Sequence, residues 1–248
     1  MSGVVTAVRQ LAISVRMSFV ETTRELGFVL GFTIIFPIGI LFFLNHLVAP
    51  DLRTQVLVGT VMMETALLNI NVLAQAIGSD KQTRLFDLWV SLPVSPVVYA
   101  LSVAVVLLPF TLISAAVTLG VAVAFFGVAV STSTLVFLVA GFALVWASTM
   151  GIGYLIGVFG GTPRQINSNA QLVGVILTFF APVFYPVSVL PAPLRAVAYA
   201  WPLTWGTQFL VGILQGAAST TLWSALVLVG FVILWLAIIG IGPRWRQV

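Results

Sequence analysis

Apolar residues follow one another along most of the chain, in blocks separated by short polar or proline-containing segments. A helix of about 20 apolar residues crosses the hydrocarbon core of a bilayer. We therefore predict that six of these blocks are transmembrane helices. They cover residues 26–48, 54–78, 97–126, 134–160, 171–184 and 221–242. The pattern predicts an all-α integral membrane protein with one transmembrane domain over residues 1–248.

Residues 1–25 have an amphipathic pattern before the first predicted span. An apolar stripe runs from Val4 to Phe19, and Arg9, Arg16 and Arg24 surround its other side. Such a pattern is typical of a helix that lies along the membrane surface. We expect an interfacial helix here, with a mobile N-terminal tail as the alternative.

Residues 79–96 form a charged island between the second and third blocks. Ser79 and Gln82 have the spacing of a capping box, in which two side chains satisfy free backbone N–H groups at a helix start. Helical spacing then puts two sets of residues on opposite faces, the apolar Leu85, Phe86, Leu88, Trp89 and Leu92 and the polar Asp80, Lys81, Arg84, Asp87 and Ser91. We predict a short amphipathic helix at the membrane surface that ends at Pro93, with a solvated loop as the alternative.

Residues 185–216 are too apolar for an exposed loop and too often interrupted by proline for one spanning helix. Irregular backbone at membrane depth must be covered by protein or line a cavity. We therefore expect short interfacial or re-entrant helices in this segment.

Glu64 lies near the middle of the second predicted span, and Asn71 shares its helical face. A carboxylate at the bilayer centre costs about 2.5 kcal/mol or more, so Glu64 should face protein or water. It either lines a pathway or packs as a hydrogen-bonded carboxyl. In the fourth span Thr149, Gly153, Gly157 and Gly161 recur every four residues, a spacing that lets helices pack closely.

Composition and charge support the membrane assignment and give an orientation. Charged residues make up 6% of the chain, against about a quarter in soluble domains, and the mean hydropathy is +1.18. Of the ten basic residues, only Arg53 and Arg195 fall on one predicted side. The excess of positive charge places both termini and the island in the cytoplasm and residues 185–216 outside.

Several kinds of chemistry are not expected of this chain. It has no cysteine and one histidine, and its one lysine, Lys81, is not preceded by the glycines of a phosphate-binding loop. We expect no catalytic residues, no metal site and no nucleotide hydrolysis by this chain alone. The net charge of +4 comes from scattered residues and does not predict nucleic-acid binding.

Two segments carry a family resemblance. The island DKQTRLFDLWVSLPVSP and the later stretch FYPVSVLPAPLRAVAYAWPLTWGTQFLVGIL resemble two motifs of the permease subunits of ATP-binding-cassette exporters, a six-span family that includes bacterial drug, polysaccharide and glycan exporters. In the first, Asp87 matches the usual acidic position of the cytoplasmic coupling helix. The island departs from the common pattern of this motif at Arg84, where many members have glycine, and at Leu85, where threonine is frequent.

The resemblance implies a half-transporter in a bacterial inner membrane. It would pair with itself or a second permease, contact membrane lipids, and work with two copies of an ATPase subunit that binds ATP and Mg. The coupling helix would dock on this ATPase, with candidate contacts at Asp80, Arg84, Phe86, Asp87, Leu88 and Trp89. Candidate pathway residues are Glu64, Asn71, Phe180, Phe184, Tyr185 and Trp201. The implied function is export of a lipophilic drug-like compound or a lipid. Export of a polysaccharide or glycolipid, and a gradient-driven carrier or channel, are the alternatives.

Overall fold

The computed structural model describes residues 15, 31, 34, 35, 37–43, 52–91, 95–126 and 130–241. Within these ranges the chain forms helices and turns, without a β-strand, which confirms the all-α prediction. The predicted interfacial helix and most of the first predicted span lie outside the described residues, although residues 37–43 are helical.

Nine helices lie within the described residues from 52 onward and are labelled in chain order. They are α1 Arg53–Leu67, α2 Leu73–Gln82, α3 Leu85–Ser91, α4 Pro96–Phe126, α5 Thr132–Phe159, α6 Pro163–Phe180, α7 Ala192–Tyr199, α8 Pro202–Gln215 and α9 Ala218–Ile241. A π-helical turn, Leu68–Val72, joins α1 to α2, and a 3-10 turn, Val187–Val189, precedes α7.

Four helical stretches in the described part are long and apolar enough to cross a membrane. They are Arg53–Gln82, Pro96–Phe125, Thr132–Phe159 and Ala218–Gly240, which match the second, third, fourth and sixth predicted spans. The helix at the fifth predicted span, α6, begins at Pro163 and so extends the predicted segment by eight residues into a polar sequence. The total of six spans stays a prediction.

Close helix packing within the chain accounts for the small residues of the fourth span. A methyl group on Gly153 would lie 2.4 Å from the carbonyl oxygen of Asn69, and one on Gly157 would lie 2.7 Å from the side chain of Ile77. The Asn69 amide donates hydrogen bonds to the Trp146 carbonyl, at 3.0 Å, and to the Thr149 hydroxyl, at 2.6 Å. The α5 backbone therefore packs directly on the π turn and α2.

The predicted helix start at Ser79 was wrong. Ser79 lies inside α2, because its carbonyl accepts hydrogen bonds from the backbone N–H of Thr83, at 2.9 Å, and from the Thr83 hydroxyl, at 3.0 Å. The helix ends where Arg84 takes the left-handed conformation, with φ of 61°. A new helix, α3, then begins at Leu85. Residues 79–91 of the island therefore form an elbow, defined as residues 80–86, between α2 and the separate short helix α3.

Candidate docking helix and transport pathway

The seven-residue helix α3 presents charge to the outside of the molecule. Asp87 lies in its first turn, where the partial positive charge of a helix N-terminus favours a carboxylate. Asp87 and Arg84 are both exposed. The side chains of Leu88 and Trp89 lie outside the described part of the structure, although both residues belong to α3. The exposed candidates for docking are thus Arg84 and Asp87.

Asp80 and Phe86, which were also predicted to dock, are interior residues. The Asp80 side chain is 5% exposed, and its carboxylate accepts a hydrogen bond from the Tyr99 hydroxyl at 2.6 Å. Phe86 is 4% exposed and meets the Tyr99 ring edge to face, with 6.0 Å between the ring centroids. The structure therefore does not place these two side chains on one surface with Arg84 and Asp87.

Lys81 makes contacts that the sequence did not indicate. Its ammonium donates hydrogen bonds to the carbonyl oxygens of Val158, at 2.5 Å, and Gly160, at 3.3 Å, where α5 ends. It also lies 5.5 Å from the centroid of the Phe86 ring. No sequence signal identifies these carbonyls as partners, because they lie more than 70 residues away along the chain.

Glu64 is buried between α1 and α4. It is 2% exposed, and its Oε2 accepts a hydrogen bond from the Ser114 hydroxyl at 2.5 Å. This position fits the interpretation of a packing carboxyl better than that of a pathway residue.

Asn71 does not share the environment of Glu64. A methyl group on Gly174 of α6 would lie 3.4 Å from the Asn71 amide nitrogen, so Asn71 faces α6. Residues seven apart share one face of a regular α-helix, because seven residues make about two turns. The π turn at Leu68–Val72 has more residues per turn, so the residues that follow it point in a different direction from Glu64. The two predicted pathway residues are therefore not brought together.

The predicted aromatic pathway residues have different environments. Phe180, at the end of α6, is 45% exposed. Phe184, Tyr185 and Trp201 are half-buried in the segment that connects α6 to α8. Phe184 packs closely on α1, since a methyl group on Gly59 would lie 2.7 Å from its ring. Of the four, only Phe180 belongs to α6, where it lies on the exposed side of the helix.

Helix α6 has one packed face and one open face. Ile166, Ala170, Gly174 and Leu177 are buried, and Thr162 with Gln165 forms a capping box at its start. The open face begins with exposed polar residues, among them Asn167, Ser168 and Gln171. It continues with the exposed apolar residues Leu172, Val175, Ile176, Phe179 and Phe180. Along one helix the open surface therefore changes from polar to apolar.

A polar pocket of about 270 Å³ lies among α1, the connecting segment and α8. Its hydrogen-bonding side chains include Gln55, Ser188, Thr207, Gln208 and Gln215, and its lining contains no charged residue. The Gln55 amide donates to the Val183 carbonyl at 2.9 Å, which holds one wall in place. Such a pocket suits uncharged groups that donate and accept hydrogen bonds.

The described residues contain no cluster of three or more His, Asp or Glu side chains that could hold a metal ion. In the comparison with known families, the family described as ABC-2 type transporter matches residues 9–215. No curated protein matched the sequence.

The family match covers well over half of the chain, including the elbow, α3, α6 and the segment up to the end of α8. It agrees with the all-helical, membrane-spanning architecture and with the short charged helix between two spans. Subunits of this family carry no nucleotide-binding domain and work with an ATP-binding partner. The chain therefore belongs to the ABC-2 type transporter family and is the multi-pass membrane subunit of an ABC transporter.

Proposed function

We propose that this membrane subunit belongs to an exporter in which two permeases and two ATPase subunits assemble and move a lipophilic drug-like compound or a lipid outward. The observation that carries the proposal is the open face of α6. In the orientation predicted from the basic residues, this face is polar near the cytoplasm and apolar farther out. An amphipathic or lipophilic molecule would meet both surfaces along its path.

The open face of α6 is polar over a longer stretch than the outward face of α9. Polar groups in the hydrocarbon core cost several kcal/mol each unless they are hydrogen-bonded, so a helix that faces lipid is apolar where it lies within the core. The outward face of α9 carries exposed Ser219 and Thr220 in its first turn and is apolar from there on, with Leu222, Leu226 and Ile233 exposed. On α6 the open face carries Asn167, Ser168 and Gln171, and Asn167 accepts hydrogen bonds from Gln171 and from Gln75 of α2. We therefore infer that this face meets a second permease and the pathway between the two.

We propose that α3 is the docking element for the ATPase. Arg84 and Asp87 offer opposite charges on an exposed surface, and paired charges give specificity and register to an interface. The double variant Arg84→Glu with Asp87→Lys should reduce co-purification of the ATPase without changing insertion into the membrane. Recovery of the ATPase in the normal ratio, with normal hydrolysis, would contradict this docking role.

Export of a polysaccharide or glycolipid is the second candidate. The polar pocket favours it, because amides and hydroxyls without a neighbouring charge suit sugar hydroxyl groups. An ion-gradient-driven carrier or channel is less well supported, since Glu64 is packed between two helices rather than open to a path.

Co-purification from the native membrane followed by an ATP hydrolysis assay tests the proposal. We expect an ATPase subunit in equal ratio to the permease and vanadate-sensitive hydrolysis in reconstituted vesicles. Lipophilic compounds should stimulate the hydrolysis more than soluble glycans do. Stimulation by glycans alone would favour the second candidate. Isolation of the chain alone, with flux that depends on an ion gradient, would overturn the exporter proposal.

A further inference from the structure

The elbow, defined as residues 80–86 between the end of α2 and the first turn of α3, is attached to two other helices by buried or partly buried side chains. The backbone hydrogen bonds of α2 and α3 lie within each helix and do not join the elbow to its neighbours. The attachments instead fix where the elbow stands relative to α4, α5 and α6.

The first attachment joins the elbow to α4. Tyr99, which is 0% exposed, lies near the start of α4 and donates a hydrogen bond to Asp80 at 2.6 Å. The same ring packs edge to face on Phe86. One side chain of α4 therefore contacts the end of α2 and the start of α3.

The second attachment joins the elbow to the turn between α5 and α6. The Lys81 ammonium bonds the Val158 and Gly160 carbonyls, and a cation at the C-terminus of a helix is favoured by its partial negative charge. Lys81 also lies near the face of the Phe86 ring, where a cation is attracted to the aromatic quadrupole. Lys81 thus contacts both the first turn of α3 and the last turn of α5.

The turn that Lys81 contacts leads directly into α6. Only residues 160–162 separate α5 from α6, and a methyl group on Gly160 would lie 2.6 Å from the side chain of Ile166. The side chains of Gln75 and Asn167 also join α2 to α6, with a hydrogen bond of 3.1 Å. The turn held by Lys81 and the side chains of α2 therefore both contact α6.

We propose that Lys81 is a positioning residue that connects the docking helix α3 to the pathway helix α6, and that the Asp80–Tyr99 hydrogen bond provides a second fixed point on α4. The inference rests on the proposed docking role of α3 and pathway role of α6. Its consequence is that closure of the ATPases displaces α6 together with α3, whereas an elbow without these attachments would bend and absorb the movement.

The test measures a distance within one chain of the assembled complex. The chain has no cysteine, so Ser168→Cys on the open face of α6 and Ala237→Cys on the exposed side of α9 allow two spin labels to be placed without background. Pulsed electron paramagnetic resonance on the co-purified complex then gives the distance between the labels without nucleotide, with ATP, and after trapping with vanadate. Hydrolysis and recovery of the ATPase are measured on the same samples.

We expect the wild-type elbow to give a nucleotide-dependent shift of the label distance. Lys81→Met should bind the ATPase and hydrolyse ATP but lose most of the shift, and Lys81→Arg, which keeps the donors, should retain it. Gln82→Met is the matched control, because the neighbouring Gln82 side chain is exposed and should be replaceable without effect.

Tyr99→Phe tests the second fixed point, since it removes the hydroxyl and keeps the ring. Tyr99→Phe should also reduce the nucleotide-dependent shift of the label distance. If Lys81→Met does not assemble with the ATPase, the result for Tyr99→Phe alone tests the inference. A full shift in both variants would overturn the inference while leaving the proposed function intact. If no ATPase co-purifies with the wild-type chain and the distance between its labels does not shift, both the proposed function and the inference are overturned.

Discussion

At the scale of single residues, conformation and burial explain features that residue type alone does not. Arg84 is in the left-handed region, where a side chain other than glycine costs roughly 1–2 kcal/mol. Glycine, which the family resemblance led us to expect at this position, adopts this conformation without strain. The Arg84 side chain itself is exposed.

Arg84→Gly should raise the thermal unfolding midpoint of the purified chain, with a gain of up to about 1 kcal/mol, because the strained φ is relieved. Arg84→Val should lower the midpoint, since a β-branched residue is disfavoured at this φ. Thermal unfolding in detergent measures both. A lower midpoint for the glycine variant would show that contacts of the Arg84 side chain outweigh the strain.

Glu64→Gln should leave the unfolding midpoint almost unchanged, because an amide oxygen can still accept the hydrogen bond from Ser114. Glu64→Ala should destabilise the chain by about 1–3 kcal/mol, since the buried Ser114 hydroxyl loses its partner. Thermal unfolding and substrate-stimulated ATP hydrolysis are both recorded. If Glu64→Gln folds normally but abolishes stimulation, Glu64 takes part in transport and not only in packing.

At the scale of helices, the approach of α5 to the π turn determines which small residues are required. Gly153 faces the backbone of Asn69, whereas Gly230 of α9 has no atom within 4 Å of the position where a methyl group would stand. A larger residue should therefore be tolerated at Gly230 but not at Gly153.

Gly153→Ala should destabilise the chain by about 1–3 kcal/mol, because the methyl group would force the α5 backbone away from Asn69. Gly230→Ala is the matched control and should be neutral or slightly stabilising, since alanine favours a helix. Thermal unfolding of the two variants side by side tests this difference. Equal midpoints would mean that α5 can shift without loss.

At the scale of the whole molecule, the open face of α6 is the surface that we propose meets a second permease. Its first half is polar, and its apolar second half exposes Phe179, which is 76% accessible in the single chain. Pairing of two copies along this face would cover it and form the proposed path.

Leu172→Cys should give a disulfide-linked pair of chains under mild oxidation in the membrane, because Leu172 lies on the face where two copies are proposed to meet. Leu226→Cys on α9 is the control and should remain unlinked, since its side chain faces lipid. Both positions are exposed and the chain has no other cysteine. Linking at Leu226 in place of Leu172 would assign the pairing surface to α9.

The length and sequence of the apolar blocks were enough to predict an all-α membrane protein with a short charged helix between two spans. Those features follow from the cost of unpaired backbone groups in lipid, which acts on each segment separately. The open face of α6 was only partly predictable, because the assigned span began at Gln171 and omitted the polar first half.

Long-range contacts were decided by the tertiary structure alone. Asp80 and Phe86 belong to the segment that was predicted to dock, yet both side chains are buried and contact Tyr99. Lys81 is bonded to a carbonyl 77 residues away, and the π turn directs Asn71 away from the face of Glu64. The apolar blocks determine which segments cross the membrane because each block partitions into lipid by its own composition. The role of a polar side chain within them depends on which distant atoms the folded helices bring within hydrogen-bonding distance.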